Sequence, residues 1–264
     1  MARMLLDIRN LSVRYGSTEV LQGVSMSVSL GQVVGIVGES GSGKTTLARS
    51  ILAALSQSAV AMSGSITYKG KELLDCSHKS LQEVRGSQIG MIFQDPRVTF
   101  SPVKTIGSQF EESLFVHAGL RKSEAKKLAL ATMQSLGLED GNHLYDSYAF
   151  ELSGGMCQRA AIALAMCLQP ALLIADEPTS ALDVTVQALV LQELKRSKET
   201  LNTSMIVISH DLRVIAAVAD ELYVMHQGKI VEKGACQQVL TNPQHSYTAH
   251  LIASVPRFSQ KVQG

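Results

Sequence analysis

The chain has 264 residues, of which 45% are hydrophobic and 18% charged, and its formal net charge is +1. This length and composition predict a globular protein with a substantial core and exclude a disordered chain. The near-neutral charge, without any basic block, gives no electrostatic reason to expect a nucleic-acid partner.

The first 95 residues show strand patterns around one Gly-rich loop. Alternation and apolar runs predict strands at 5–15, 20–29, 33–38, 63–73 and 88–94, the last ending at Gln94. The loop after 33–38 leads into a predicted helix at 44–55.

Between about 96 and 170 the strand patterns vanish, and helices are predicted at 108–120, 123–138 and 153–168. Strands and helices then alternate again, with strands at 171–177, 204–210 and 221–234 and helices at 184–199 and 212–219. Strand–helix alternation around a helical insert predicts an α/β fold with a mostly parallel sheet.

We therefore expect one domain over 1–254. Its core comprises 1–95 and 171–254, its helical insert is 96–170, and 255–264 forms a loose C-terminal tail.

The cysteines and the apolar runs give no indication of a disulfide-rich protein or of a membrane-spanning one. The four cysteines form no CxxC pair, so we expect reduced thiols without a disulfide framework or metal site. The longest apolar run, at 160–168, is far shorter than the ~20 residues that span a bilayer. Any membrane association is expected to go through another protein.

The segment GESGSGKT at 38–45 fits the phosphate-loop pattern G-x-x-x-x-G-K-[ST], with a predicted strand before it and a helix after it. Backbone N–H groups of such a loop surround a phosphate chain, Lys44 neutralises it, and the Thr45 hydroxyl ligates Mg²⁺. The alternative is an ordinary Gly-rich turn. The predicted ATP-binding residues here are Gly38, Ser40, Gly41, Gly43, Lys44, Thr45 and Thr46.

The segment LLIADEP at 172–178 predicts a buried strand that ends in two acids. Burying acids is costly unless they meet a cation or a reacting group. Asp176 is the candidate magnesium partner, and Glu177 is the candidate general base for an attacking water. The alternative is a strand end capped by surface acids.

A third segment, ELSGGMCQR at 151–159, predicts a Gly-rich loop that opens a helix. With the two motifs above, it makes the chain similar to the nucleotide-binding subunits of ABC transporters over roughly 4–255. The order of elements is that of the family: the phosphate loop, Gln94, the signature at 152–156, Asp176–Glu177, SALD at 180–183, and His210. The resemblance implies a P-loop NTPase core, an N-terminal antiparallel β subdomain, a helical insert, and ATP hydrolysis with Mg²⁺.

The resemblance also implies individual roles. Gln94 would contact the metal and the attacking water. His210 would contact the γ-phosphate and the water, although a lone histidine is more often a plain polar loop residue. Tyr15 would stack on adenine, the alternative being a strand aromatic packed in the core. Asp183 would lie at the interface of a cassette dimer. Residues Ser153, Gly154 and Gly155 would bind the ATP held by a second cassette.

Within the family, three segments resemble the ATPase subunits of bacterial importers for dipeptides, oligopeptides and nickel. They are MIFQDPRVTFSP, ADEPTSALDVTVQALVL and NPQHSYTAHLIASVP. Met156 after the glycine pair matches one of two cassette types that pair with each other in these importers. The implied partners are a second, different ABC ATPase subunit, two membrane permease subunits and an extracytoplasmic solute-binding protein. The implied location is the cytoplasmic face of the inner membrane.

Peptides and nickel remain equal alternatives for the solute. Three other readings stay open: an exporter cassette, a soluble ABC ATPase acting on nucleic acid or ribosomes, and a regulatory cassette that does not hydrolyse ATP.

Overall fold

A computed structural model describes residues 3–55, 59–180 and 182–254. The predicted C-terminal tail at 255–264 lies outside the described residues. The chain forms two compact units, one from Met1–Leu81 with Ser204–Gly264 and one from Gln82–Thr203. No helix in the described ranges is both long enough and apolar enough to cross a membrane.

The described part of the chain forms the following strands and helices. They are β1 (Met4–Tyr15), β2 (Thr18–Ser29), β3 (Val33–Val37), α1 (Lys44–Ile51), β4 (Ala59–Tyr68), β5 (Lys71–Glu72), α2 (His78–Val84), β6 (Ile89–Ile92), α3 (Ile106–Ala118), α4 (Lys122–Ser135), α5 (Gly141–Asp146), α6 (Gly154–Cys167), β7 (Leu172–Asp176), α7 (Val184–Leu201), β8 (Ser204–Ile208), α8 (Leu212–Val218), β9 (Glu221–His226), β10 (Lys229–Ala235), α9 (Cys236–Thr241) and α10 (Ser246–Ala253), with 3₁₀ turns at Pro96–Val98 and Ala149–Glu151.

The first unit contains an antiparallel sheet in the order β2-β1-β4-β5. In β1 the buried Leu6 and Ile8 are followed by the buried Leu11 and Val13, with a spacing of three rather than two residues between Ile8 and Leu11, and Leu5 is buried as well. The wider spacing is possible because the register shifts between Ile8 and Leu11, where Asn10 has a φ of +49°. One extra residue in a strand is a β-bulge, and this one keeps Leu6, Ile8, Leu11 and Val13 on the core face.

The same unit contains the strands β10-β9-β3-β8. β3 pairs in parallel with both β8 and β9, whereas β9 and β10 form an antiparallel hairpin. All five residues of β3 are buried, as expected for a parallel strand covered on both faces. A Cβ on Gly35 would lie 2.5 Å from Ile215 Cγ2, so α8 packs directly against β3. The predicted α/β fold is confirmed.

The second unit combines the parallel pair β6–β7 with the helices α3 to α7. α3 packs against α4 and α5, and α4 packs against α6. A Cβ on Gly107 would lie 2.1 Å from the Tyr145 ring, and the Tyr145 hydroxyl donates to Glu111 Oε1 at 2.8 Å. The three helices predicted between 96 and 170 are present as α3, α4 and α6. The sequence patterns did not predict α5.

The predicted end of the strand at Gln94 is wrong, because β6 ends at Ile92. Ile92 is the last β6 residue paired with β7, opposite Ala175. Asp95 then accepts a hydrogen bond from the Arg97 N–H at 3.0 Å and begins a 3₁₀ turn. Side-chain capping of this kind competes with the strand ladder and ends it.

All four cysteines are free thiols. Cys157, Cys167 and Cys236 are buried, and burial raises the pKa of Cys167 and of Cys236 to about 11. Cys76 is half-buried, and its thiol donates to the Glu72 carbonyl at 2.8 Å.

Candidate functional site

The predicted phosphate loop lies between β3 and α1 in the first unit. Its φ angles are +154° at Gly38, +80° at Gly41 and +101° at Gly43. Glycine adopts such angles without steric strain, whereas residues with a Cβ do not. A backbone that turns this tightly can bring successive N–H groups to one concave surface, which is how such loops bind phosphate.

Neighbouring atoms leave no room for a side chain on Gly38 or on Gly43, whereas the space around Gly41 is open. A Cβ on Gly38 would lie 2.1 Å from the Met225 carbonyl oxygen, in β9. A Cβ on Gly43 would lie 2.8 Å from Leu21 Cδ2 and 3.0 Å from the Val20 carbonyl, in β2. The loop is therefore shaped by tertiary contacts as well as by its own torsion angles.

Lys44 is only 8% exposed and its ammonium group lies inside the loop. Its Nζ donates to the carbonyl oxygens of Gly38 and Glu39, each at 2.8 Å, and to Ser42 Oγ at 3.4 Å. These acceptors compensate the loss of water around a buried cation. They also fix a positive charge inside the loop, which favours an anionic ligand there.

The first turn of α1 suits an anion as well. Gly43 is the N-cap residue and has no side chain to accept the first N–H groups of the helix. Thr45 and Thr46 follow in that turn, both half-buried, while Ser40 and Gly41 are exposed. Uncapped N–H groups, a fixed ammonium and hydroxyl oxygens fit the phosphates of a nucleotide.

His210 lies at the same edge of the strands as the phosphate loop. β3 and β8 run parallel with Ile36 opposite Ile208, so both C-terminal ends face that edge. The Ser209 N–H donates to the Ile36 carbonyl at 3.2 Å, which fixes the chain just before His210. His210 itself is exposed. Ligands of α/β proteins bind at this carboxyl edge of parallel strands.

Tyr15 is the last residue of β1 and is half-buried rather than enclosed in the core. Part of its ring is therefore open to contact with a flat, apolar surface.

In the second unit, Asp176 ends β7 and is 1% exposed, and Glu177 follows at 8% exposed. Glu177 has a φ of +51°, which is unfavourable for a residue with a side chain. The Glu177 carbonyl accepts from the N–H and the hydroxyl of Ser180, at 3.3 and 3.2 Å. This tight turn holds the strained residue, and strain of this kind clusters at functional sites.

Gln94 is exposed and lies two residues beyond β6. Because β6 runs parallel to β7, Gln94 leaves this strand pair at the same edge as Asp176 and Glu177. The second unit thus gathers an amide and two carboxylates at one strand edge.

The signature segment begins α6. Ser153 is the N-cap residue, and its Oγ accepts from the Met156 N–H at 3.3 Å. Ser153 and Gly154 are exposed, Gly155 is half-buried, and a Cβ on Gly154 would have no heavy atom within 4 Å. The start of this helix therefore presents an open surface.

Sequence patterns missed the role of Gln158, a 1% exposed residue in the otherwise apolar α6. Its Nε2 donates to the Pro178 carbonyl at 3.2 Å and thereby joins the signature helix to the segment after Glu177. A polar side chain in an apolar helix was the available signal, because buried polar groups require partners.

Asp183 caps α7, and its Oδ1 accepts from the N–H groups of Thr185 and Val186, both at 3.0 Å. The structure thus gives Asp183 a local role in starting this helix.

Magnesium fits the donor types present in the two units. No group of three or more His, Cys, Asp or Glu side chains is placed to hold a metal anywhere in the described part of the chain. Mg²⁺ uses few protein ligands and completes its shell with phosphate oxygens and water. The Thr45 hydroxyl in the first unit, and the Gln94 amide and the Asp176 carboxylate in the second, are oxygen donors of the type that it prefers.

Comparisons with known proteins identify relatives of the chain in sequence and in structure. The sequence model of a family described as ABC transporter matches residues 21–180. A probable peptide ABC transporter ATP-binding protein of Sinorhizobium fredii, y4tR, is 43% identical over 97% of this chain and 78% of its own length. The dipeptide transport ATP-binding protein DppD of Lactococcus lactis is 40% identical over 98% of this chain and 75% of its own length. A solved dimeric structure of the ATP-binding cassette MJ0796 in a post-hydrolysis state, bound to ADP and Pi, has a TM-score of 0.79 and 25% identity over 88% of this chain and 99% of that chain.

Proposed function

The chain belongs to the ABC transporter family and is one of its ATPases, and we propose that it powers the import of peptides across a bacterial cytoplasmic membrane. The observation that carries the ATPase part of the proposal is the buried ammonium of Lys44, fixed inside a loop of positive-φ glycines. The relatives described above are named as peptide transport proteins, which favours peptides over nickel.

In the first unit, the backbone of the phosphate loop and Lys44 bind the triphosphate. Charge-assisted hydrogen bonds to phosphate oxygens are strong because donor and acceptor carry opposite charge. Tyr15 stacks on the adenine ring, a contact that requires only an open aromatic face. His210 donates a hydrogen bond to the γ-phosphate.

In the second unit, Glu177 takes a proton from the attacking water. The turn that holds its backbone at positive φ orients the side chain for this step. Thr45, Gln94 and Asp176 are the proposed magnesium ligands. Magnesium, when bound, neutralises charge that develops on the phosphate oxygens.

The open start of α6 serves the ATP of a second cassette. Ser153, Gly154 and Gly155 offer a hydroxyl and N–H groups at the positive end of a helix dipole. Met156 supplies no strong side-chain donor or acceptor. We therefore propose that this chain pairs with a different cassette, and that Asp183 lies at the interface between the two.

The remaining partners follow from the importer assignment. They are two permease subunits and an extracytoplasmic solute-binding protein, and the chain would lie at the cytoplasmic face of the inner membrane. ATP binding closes the cassette pair and hydrolysis reopens it, so the γ-phosphate acts as the switch.

The test is to tag this chain, purify its complex from native membranes, and identify the co-purifying proteins. ATP turnover of the complex in lipid nanodiscs is then measured with the solute-binding protein and either mixed peptides, Ni²⁺ or no solute. We expect stimulation by peptides alone. Stimulation by Ni²⁺ alone would replace peptides with nickel as the solute. Recovery of the chain only in the soluble fraction, with ribosomes or nucleic acid, would refute the importer assignment.

A further inference from the structure

Tyr247, on the C-terminal helix α10, contacts the phosphate loop directly. The N–H of Glu39, the second residue of the loop, donates to the Tyr247 hydroxyl at 3.0 Å. The two residues are 208 positions apart in the chain. The contact is therefore tertiary and joins α10, at the C-terminal end of the first unit, to the phosphate loop.

The same peptide group also contacts Lys44. The peptide between Gly38 and Glu39 donates through its N–H to Tyr247 and accepts through its C=O from Lys44 Nζ at 2.8 Å. A peptide group is planar, so fixing one end fixes the other. Hydrogen bonds at opposite ends of one amide also polarise each other. The orientation of this peptide consequently determines the position of the Gly38 carbonyl oxygen, which accepts from Lys44 Nζ.

Tyr247 is itself held in place. Its ring lies against the ring of His226, with 4.0 Å between the centroids, and its N–H donates to His245 Nδ1 at 3.1 Å. Glu232, in β10, accepts from the N–H groups of Gln244 and His245 at 2.7 and 3.0 Å. The tyrosine hydroxyl is thus presented from a segment anchored on β10.

The β9–β10 hairpin holds the other parts of the loop. The Gly228 N–H donates to the Ser42 carbonyl at 3.1 Å, and the Met225 carbonyl oxygen lies 2.1 Å from the position that a Cβ of Gly38 would take. The loop is therefore anchored at both Gly38–Glu39 and Ser42 by the last part of the first unit.

We propose that Tyr247 is a positioning residue for the nucleotide site, which orients the Gly38–Glu39 peptide and through it the Lys44 ammonium. The inference rests on the proposed ATPase site and adds a residue that touches no substrate. Loss of one such hydrogen bond is expected to weaken ATP binding roughly 3- to 10-fold.

The test is Tyr247→Phe, which removes the hydroxyl and keeps the ring. Tyr223→Phe is the matched control, because the buried Tyr223 hydroxyl also accepts from a backbone N–H, that of Ser27 at 3.4 Å, which belongs to β2 and not to the phosphate loop. ATP affinity of the full chain is measured by titration calorimetry, and amide hydrogen exchange at Glu39 by mass spectrometry or NMR. KM and kcat are measured in the assembled transporter.

We expect Tyr247→Phe to weaken ATP binding 3- to 10-fold, to raise KM with kcat within about twofold of wild type, and to speed exchange at Glu39. Tyr223→Phe should leave ATP affinity unchanged. Unchanged affinity and exchange in Tyr247→Phe, or an equal loss in both variants, would overturn the inference and leave the proposed function standing. A wild-type chain that binds no ATP would overturn the proposed function and the inference with it.

Discussion

The phosphate loop at 38–45 and the signature loop at 153–155 are both Gly-rich, and each leads into a helix, but they are built in opposite ways. The first has three glycines at positive φ, of which Gly38 and Gly43 are closely packed, and an uncapped helix start. In the second, Gly154 and Gly155 belong to the first turn of α6, Ser153 caps that helix, and the space around Gly154 is open.

This difference separates two ways of using the start of a helix. A loop whose shape is fixed by glycine torsion angles and tertiary contacts, and which holds its own cation, is pre-organised for a ligand held by this chain. A capped and open helix start contributes little until another surface is placed against it. The contrast supports the proposal that the signature loop acts on ATP held by a second cassette.

The largest effect is expected from a substitution that stops ATP hydrolysis without changing either loop. Glu177→Gln leaves the loops intact and removes the general base, so turnover of the assembled complex should fall about 10²- to 10⁴-fold. ATP affinity should be retained, and ATP-bound cassette pairs should accumulate on size-exclusion chromatography. Phosphate release is the measurement, and Glu199→Gln, at an exposed position of α7, is the control. Normal turnover in Glu177→Gln would exclude Glu177 as the base.

The next largest effect is expected from removing Lys44, the cation of the phosphate loop. Lys44→Ala removes a charged donor from the phosphates, and ATP affinity should fall about 10- to 100-fold. Arg49→Ala, on the exposed side of the same helix, should bind ATP as the wild type does. Equal affinity in Lys44→Ala and wild type would rule out the assignment of this loop.

A matched pair of glycine substitutions tests the comparison itself. Gly38→Ala places a Cβ against the Met225 carbonyl and should lower the free energy of unfolding by about 1–3 kcal/mol, with loss of ATP binding. Gly154→Ala meets open space in a helical turn and should change stability by less than ~1 kcal/mol. Chemical denaturation measures both values. If the two variants lost stability equally, the two loops would not differ as described.

The smallest effect concerns Met156. Its backbone N–H already completes the cap with Ser153, whatever its side chain is. Met156→Gln should therefore change turnover of the assembled complex by less than about tenfold, the range of a single side-chain hydrogen bond. Complete loss of turnover would show that the methionine side chain has a specific role.

Sequence patterns predicted what is local. The phosphate loop, the β7 acids and the start of α6 were found because each depends on residues close together in the chain. Apolar periodicity likewise predicted the helices α3, α4 and α6.

The contacts that were missed are non-local or depend on backbone detail. The Tyr247–Glu39 and Gln158–Pro178 hydrogen bonds join residues whose proximity exists only in the folded chain. The positive φ of Glu177 could not be predicted from the residue type, because glutamate rarely adopts such a backbone angle. The apolar pattern that ends at Phe93 extends past Ile92, although the strand pairing stops there.

The distribution of thiols makes the native chain suitable for single-site labelling. Cys157, Cys167 and Cys236 are buried, whereas Cys76 is half-buried. Burial raises the pKa of all three enclosed thiols, so at neutral pH they hold little of the thiolate that reacts with maleimides. A fluorophore added to the native chain should therefore attach at Cys76, next to β5. One further introduced cysteine would complete a donor–acceptor pair for distance measurements without removing any buried thiol.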